Sequence, residues 1–397
     1  MRVRSCVNLK GDLRQPTLDR GIQRNTPIDA DRFLDCLHFA GENDPPASYP
    51  NLWYTGLIAT GARCKLAIMK TVTILIPETA VLPAIVDPRY MFTAVNEFLK
   101  SAGKKPVFDV QLVGLSKEVK LNDGLFSVHA DAVLKQAKKS DLIIIPAISG
   151  NLENAIKRNE EFFPWIVKQY KQGAEVASLC LGAFLFASTG LLDGKKCSTH
   201  WLFANDFRTM FPDVTLVDEK IITEQNGLYS SGGASSYWNL LLHLVEKYTS
   251  REMAILASKF FVLDISRDSQ SPFTIFKGQK IHNDPEIVKI QDYIEKNYRD
   301  RIAVEDLSEK FGIGRRTLER RFKKATNNTV NEYIQRVKIE ASKKELEIGR
   351  KTVNEVMYDV GYSDNKAFRD VFKKIAGLSP GDYRNRYNKQ AIMQRLN

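Results

Sequence analysis

Cysteine is scarce in this chain: five in 397 residues, with no Cys-x-x-Cys pair. That excludes a disulfide scaffold and argues against a zinc site built mostly of thiolates. The usage fits a reducing, cytoplasmic compartment. No run of 18 apolar residues occurs, so no membrane span is expected. Residues 1–6 lead into no apolar core, so a secretory signal is not expected either. What is present is an ordinary globular balance, 43 % apolar and 26 % charged, which excludes a wholly disordered chain. The length implies two or three domains.

The formal net charge is +11, which points toward an anionic partner without naming it. Its distribution says more. Lys and Arg exceed Asp and Glu by 2 in residues 1–68, by 2 in 69–283 and by 7 in 284–397. A nucleic-acid surface is therefore to be sought in the last 114 residues.

Residues 1–68 read unlike the rest. They hold Cys6, Cys36 and Cys64, use seven Arg against two Lys, and keep no helical or strand period. Pro45, Pro46 and Pro50 break any element there. A start codon misplaced upstream produces such a pattern; a disordered or peripheral extension and a functional arm are the alternatives. Met69 and Lys70 then open a clean strand signal.

From 69 to about 250, strand and helix signals alternate. Strands are expected over 71–76, 108–115, 125–128, 141–146, 175–179, 214–216 and 221–223. Helices are expected over 90–101, 132–137, 161–172, 182–189 and 235–248. This alternation predicts an α/β domain with a mostly parallel sheet covered on both faces. Ligands of such sheets bind outside the carboxyl ends of the strands.

Cys180 stands at such an end, directly after a buried strand and before a helix that opens at Leu181 and Gly182. Helix N-terminal amides favour a thiolate there, and Gly182 permits the close approach the turn requires. His200 follows twenty residues later as a possible base, and Cys–His is the minimum for nucleophilic thiol chemistry. A buried, inert cysteine on an apolar helix is the alternative. The pocket is expected to be rimmed by Ser149, Gly150, Cys180, Leu181 and His200, with backbone amides near Ser149 and at Leu181 receiving a carbonyl oxygen or an anion.

The stretches 177–184, Gly190-Leu191-Leu192-Asp193-Gly194, Ser198-Thr199-His200-Trp201 and 229–235 resemble the DJ-1/PfpI superfamily, in its class I glutamine amidotransferase-like branch fused to regulatory domains. The resemblance covers residues 69–250 and implies a flavodoxin-like fold and a sensing and dimerising role. Catalytic or redox-sensing members pair the elbow cysteine with a carboxylate from the loop after the first strand. Here that position falls at Pro83 or Ala84, with Glu78 and Asp87 nearby but out of register, and Asn239 stands where the branch often has Asp. Turnover is therefore not expected, whereas a ligand pocket or a Cys180-based oxidation sensor is. A cysteine-dependent amidohydrolase or glyoxalase-like enzyme remains the rival reading.

Residues 251–283 read as a connector that docks on one domain. Beyond it, apolar residues recur at helical spacing. A short helix over 304–311, a turn at Gly312-Ile313-Gly314 and a basic helix over 315–324 form a helix-turn-helix, with Leu307 and Phe311 packing on Leu318 and Phe322. The form recurs over 353–374, with its turn at Gly361-Tyr362-Ser363, 49 residues on, and Ser363 or Asp364 as the cap. A long helix over 330–347 joins the two.

The segments 307–313, 316–323, 333–338, Gly361-Tyr362-Ser363-Asp364, Ala367-Phe368, Gly377-Leu378-Ser379-Pro380 and Tyr383-Arg384 strongly resemble the AraC/XylS family DNA-binding domain, which would occupy residues 284–390. Two departures are mild. Gly314 replaces the usual Ser cap, and Asn327-Asn328-Thr329-Val330 replaces a Gly-containing turn, which Asn tolerates. Arg315, Arg316, Arg320, Asn365, Lys366 and Arg369 are expected at base edges or nearby phosphates; Arg321, Lys323, Lys324, Lys373 and Lys374 at phosphates or in water. The expected protein is a homodimeric transcription regulator of promoter DNA, taking a small-molecule effector and meeting RNA polymerase if it activates. No metal, cofactor or membrane partner is expected.

Overall fold

The computed structural model describes residues 69–280 and 282–388; the expectations for residues 1–68 lie outside them. Strand β1 (Lys70–Ile76) is β-branched and buried along its inner half, and helix α1 (Pro83–Ser101) follows it. The helix expected over 90–101 starts seven residues earlier, at Pro83. Pro83 sits in the first turn, where its missing N–H is not needed.

The chain continues through β2 (Phe108–Gly114), the hairpin β3 (Glu118–Leu121) and β4 (Phe126–His129), β5 (Ala132–Val133), β6 (Leu142–Ile145), α2 (Leu152–Arg158), α3 (Phe162–Lys171), β7 (Glu175–Ser178) and α4 (Gly182–Ala187). It goes on through β8 (Lys196–Cys197), α5 (Ala204–Met210), β9 (Thr215–Leu216), β10 (Ile222–Gln225), β11 (Leu228–Ser231), α6 (Tyr237–Tyr248) and α7 (Arg251–Phe260). The expected helix over 132–137 is a correction. Ala132 and Val133 pair with β2 as an edge strand, and only a single 3₁₀ turn, Leu134–Gln136, follows.

The main sheet runs β10-β11-β7-β6-β1-β2-β5, parallel throughout except for the β10–β11 hairpin. Its central strand β6, Leu-Ile-Ile-Ile, is wholly buried, as a strand covered on both faces must be. The carboxyl ends of β1, β6 and β7 lie side by side: Ile74 pairs with Ile144, and Ile145 with Ser178. This is an α/β domain built on a mostly parallel sheet, as the alternation of strand and helix signals predicts.

An all-helical region follows, with α8 (Pro285–Lys296), α9 (Val304–Phe311), α10 (Arg315–Thr326), α11 (Val330–Ile348), α12 (Val353–Asp359), α13 (Asn365–Ala376) and α14 (Pro380–Tyr387). It has two small cores. Leu307, Leu318 and Phe322 close on Ile290 and Tyr333; Val356, Phe368 and Phe372 close on Ile339 and Tyr383. Helix α11 supplies one side of each core. Among the described residues no helix is long and apolar enough to cross a membrane.

Candidate functional site

In the first helix-turn-helix, Gly312 ends α9 in the left-handed conformation (φ 63°), and α10 starts at Arg315 with no side-chain cap. In the second, Asp364 caps α13 by accepting the Ala367 N–H at 2.6 Å. The second turn carries one residue more. The first helices are therefore offset by 49 residues (Leu307 to Val356), while the recognition helices are offset by 50 (Leu318 to Phe368).

Both recognition helices bury an apolar stripe and expose a polar one. Leu318, Phe322 and Thr326 are buried on α10; Phe368, Phe372 and Ala376 on α13. Arg315, Arg316, Arg320, Lys323 and Lys324 are exposed, as are Asn365, Lys366, Arg369, Lys373 and Lys374. Arg321 departs from the expectation of a phosphate contact or a solvated side chain. It is half-buried and forks onto Asp284 through Nε at 2.9 Å and Nη2 at 2.6 Å, tying α10 to the cap of α8. Helix phase explains this: Arg321 adjoins Phe322 at the edge of the buried stripe.

The elbow forms as its position after β7 predicts. Cys180 adopts φ 52°, a left-handed conformation strained for a residue with a side chain. The strain is maintained by close packing: a Cβ on Gly182 would lie 2.5 Å from the carbonyl oxygens of Ile145 and Pro146. The Cys180 N–H donates to Ser231 Oγ at 3.3 Å, and its carbonyl accepts from Thr199 Oγ1 at 3.0 Å.

Of the two readings left open for the thiol, burial favours the un-ionised one over the thiolate. Cys180 is buried, and burial pushes its thiol up, against the opposing pull of the Ala234 and Leu181 amides. The thiol is held protonated rather than ionised. His200 is not among its hydrogen-bonding neighbours. The His200 Nδ1 accepts the Leu202 N–H at 3.1 Å, which places the ring proton on Nε2, and burial lowers the ring's basicity. A base committed in this way does not activate the thiol.

The expected amide cradle near Ser149 is also spent. The Ser149 N–H donates to Thr79 O at 2.9 Å and its hydroxyl to the same oxygen at 3.2 Å. Gly150 lines the open cleft between the sheet domain and the helical region, with Asn205, Lys280 and Lys324. Of the five expected rim residues, Cys180 and Leu181 form the elbow, His200 accepts from Leu202, Ser149 bonds to Thr79 and Gly150 lines the cleft instead.

One residue outside the expected rim, Tyr237, lies near the elbow. The Tyr237 hydroxyl donates to Asp87 Oδ2 at 2.6 Å, and it lies near enough to Cys180 to be affected by a charge there. Trp238 also bonds to Asp87, whose carboxyl burial pushes up in pKa. Glu78 instead pairs outward with Arg158 at 2.6 Å. Asp87, out of register after β1, thus meets Tyr237 from the second turn of α1.

The connector, expected to dock on one domain, contacts both. Gln270 is buried. Its Oε1 accepts the Gly233 N–H at 3.1 Å, and its Nε2 donates to Thr199 O at 2.9 Å and Asp218 O at 2.7 Å. Gly233 in turn lies so close to the His200 ring that any side chain there would collide with it. The next residues reach the helices. Pro272 Cδ and Ser271 Cβ would each lie 3.0 Å from a Cβ on Gly377, and the Tyr387 hydroxyl donates to Pro272 O at 3.0 Å. The guanidinium groups of Arg267 and Arg386 both lie over the Phe273 ring, 4.4 and 4.7 Å from its centroid. Lys343 of α11 donates to Thr274 O at 2.5 Å and pairs with the buried Glu340, which accepts the Phe276 N–H at 3.1 Å.

Known proteins divide the chain in the same way. The DJ-1/PfpI family model matches residues 89–247, and a helix-turn-helix domain model matches residues 307–386. The chain is 26 % identical over 269 residues to the HTH-type transcriptional regulator GbdR of Pseudomonas aeruginosa, covering 68 % of this chain and 72 % of that protein. It is 22 % identical over 259 residues to the HTH-type transcriptional regulator CdhR of the same species, covering 65 % and 76 %. Among solved structures it resembles an AraC family transcriptional regulator from Pseudomonas putida at 15 % identity, covering 48 % of this chain and 99 % of that one, with a TM-score of 0.40. It also resembles Drosophila melanogaster DJ-1beta at 19 % identity, covering 50 % and 100 %, with a TM-score of 0.39. The chain thus carries a DJ-1/PfpI domain fused to a C-terminal helix-turn-helix domain.

Proposed function

We propose that this DJ-1/PfpI and helix-turn-helix fusion is a homodimeric transcription regulator whose rear domain binds promoter DNA and whose front domain senses a small molecule. The observation that carries the reading is the pair of recognition helices, each with its basic face exposed, set at the two ends of α11. That helix has 19 residues, so it is about 28 Å long at 1.5 Å per residue. This span suits two readers entering successive major grooves on one DNA face, ~34 Å apart.

Sensing is assigned to the elbow rather than turnover. A protonated thiol with no hydrogen bond to His200, whose Nδ1 is already used, lacks the base that nucleophilic catalysis requires. The connector supports a physical link from the elbow to the DNA-binding region, since Gln270 holds the glycine turn and Pro272 touches the end of α13. Dimerisation, contact with RNA polymerase and an intracellular site of action belong to this same proposal.

The test is a salt-dependent mobility shift of the full chain on duplex DNA. Retarded complexes at low salt that weaken as salt rises support the reading. Folded protein that leaves every duplex unshifted at low salt overturns it.

A further inference from the structure

Two arginines meet where the connector, the turn before α6 and the last helix come together. The guanidinium groups of Arg267 and Arg386 both lie over the Phe273 ring, so they stand no further apart than their two distances to its centroid combined. Neither forms an ion pair among the described residues. Arg267 donates through Nη1 to Ser235 Oγ at 3.5 Å and through Nη2 to Ser236 Oγ at 3.2 Å, and its Nε is buried with no partner. Arg386 is exposed on α14. It lies over the rings of Phe273 and Tyr387 and makes no hydrogen bond among the described residues. Asp264 is the carboxylate that both arginines influence. Its Oδ1 is taken by the N–H and the hydroxyl of Ser266 at 2.9 and 2.6 Å, and it pairs with neither guanidinium. Burial, and after it the neighbouring Arg386, hold Arg267 below its ordinary pKa. A half-buried cation beside a second one is costly unless an anion stands with them.

We propose that this junction binds the phosphate group of a small-molecule effector, held by Arg267, Arg386 and the hydroxyls of Ser235 and Ser236. The two hydroxyl oxygens accept from Arg267 and keep their own protons to donate. They stand at the start of α6, whose N-terminus has no side-chain cap and favours an anion. Two unit charges without a counter-ion call for a group close to a dianion. A phosphate monoester carries about −1.5 to −2 at neutral pH, more than a single carboxylate. Its oxygens also suit guanidinium forks. None of these side chains bonds the Cys180 thiol, and nothing in the site depends on DNA binding. A bound phosphate clasps the turn before α6, in the sheet domain, to α14 in the helical region.

The experiment titrates the full chain by calorimetry, in chloride buffer without DNA, with inorganic phosphate, glycerol phosphate and succinate. It compares wild type, R267Q, R386Q, R386K and the control R89Q, whose arginine pairs with Asp131 elsewhere. Wild type and R89Q are expected to take up one phosphate per chain saturably. R267Q and R386Q should bind it about tenfold more weakly or worse, because a charged hydrogen-bonding partner is gone. R386K should fall between, since Lys keeps the charge and loses the fork. Phosphate should also raise the Tm of wild type more than that of R386Q. Tighter binding of glycerol phosphate than of inorganic phosphate supports an organic monoester as the effector, and equal binding supports free phosphate. Folded wild type that takes up no phosphate saturably overturns the site, as does equal affinity in wild type and folded R386Q. Succinate bound as tightly as phosphate overturns the choice of phosphate. Should R267Q fail to fold, the exposed Arg386 carries the comparison. Because no DNA is present, failure here leaves the DNA-binding reading standing.

Discussion

The side-chain carbonyl of Gln270 accepts the backbone N–H of Gly233 at 3.1 Å, so a connector residue closes the glycine turn that supports the His200 ring. The same side chain donates to the carbonyl of Thr199, whose hydroxyl holds the Cys180 carbonyl. The elbow and the connector are one hydrogen-bonded unit. Gln270→Ala leaves the Gly233 N–H and the Thr199 carbonyl without this partner in a buried place. Each such group costs about 1–3 kcal/mol. Urea unfolding is expected to show a loss of at least about 2 kcal/mol. A loss indistinguishable from zero would contradict the strut.

The end of α13 tests the other side of the same connector. Gly377 and Asn327 are equivalent left-handed residues, with φ of 69° and 55°. Asn serves at 327, yet a Cβ at 377 would lie 3.0 Å from both Pro272 Cδ and Ser271 Cβ. Gly377→Asn is therefore expected to lower the Tm, since crowding of a packed site costs about 1–3 kcal/mol. The mirror change, Asn327→Gly, should be nearly neutral. Equal effects at the two positions would show that backbone conformation, not the connector contact, decides the outcome.

Thiol chemistry gives a pH prediction with a definite sign. Burial raises the Cys180 thiol above its ordinary 9.0 and pushes the Cys197 thiol up to about 12. The folded chain keeps protons that the unfolded chain releases above pH 9. The resulting stabilisation is whole below pH 9 and is lost as pH rises toward the folded values. Alkylation of Cys180 by iodoacetamide should be slow at pH 7, climb only above pH 9, and follow the same profile in His200→Ala. Fast reaction at neutral pH that disappears in the histidine variant would restore the enzymatic reading.

Among the basic residues of α10, the structure separates two roles. Arg316 and Arg320 are exposed, whereas Arg321 forks onto Asp284. Arg316→Ala is expected to weaken duplex binding about tenfold or more. Arg321→Ala should lower the Tm and change affinity less than threefold. The reverse order would mean that the helix meets DNA through a different face.

Much of this was readable in the residues. Buried apolar runs such as Leu142–Ile145 located the sheet, and paired apolar spacings such as Leu318/Phe322 and Phe368/Phe372 located both helix-turn-helix units. The elbow at Cys180 followed from a strand running directly into a glycine-containing helix. What remained hidden depended on tertiary contacts. The first turns of α1 carry Pro83 and Pro88, whose tolerated places are set by the helix they join. Asp87 was out of register until that helix placed its carboxylate against Tyr237. Gln270 had no local signal, because its partners lie 37 and 71 residues away. Arg321 could not be told from its basic neighbours until Asp284 took it.

Two readers held on one helix is the central claim, and a hydroxyl-radical footprint of the full chain on its selected duplex tests it most directly. The account predicts two protected stretches on one DNA face, centred about 10 base pairs apart. Replacing Arg316 and Arg320 should erase one stretch, and replacing Lys366 and Arg369 the other. A single protected stretch that both sets of substitutions erase together would contradict it.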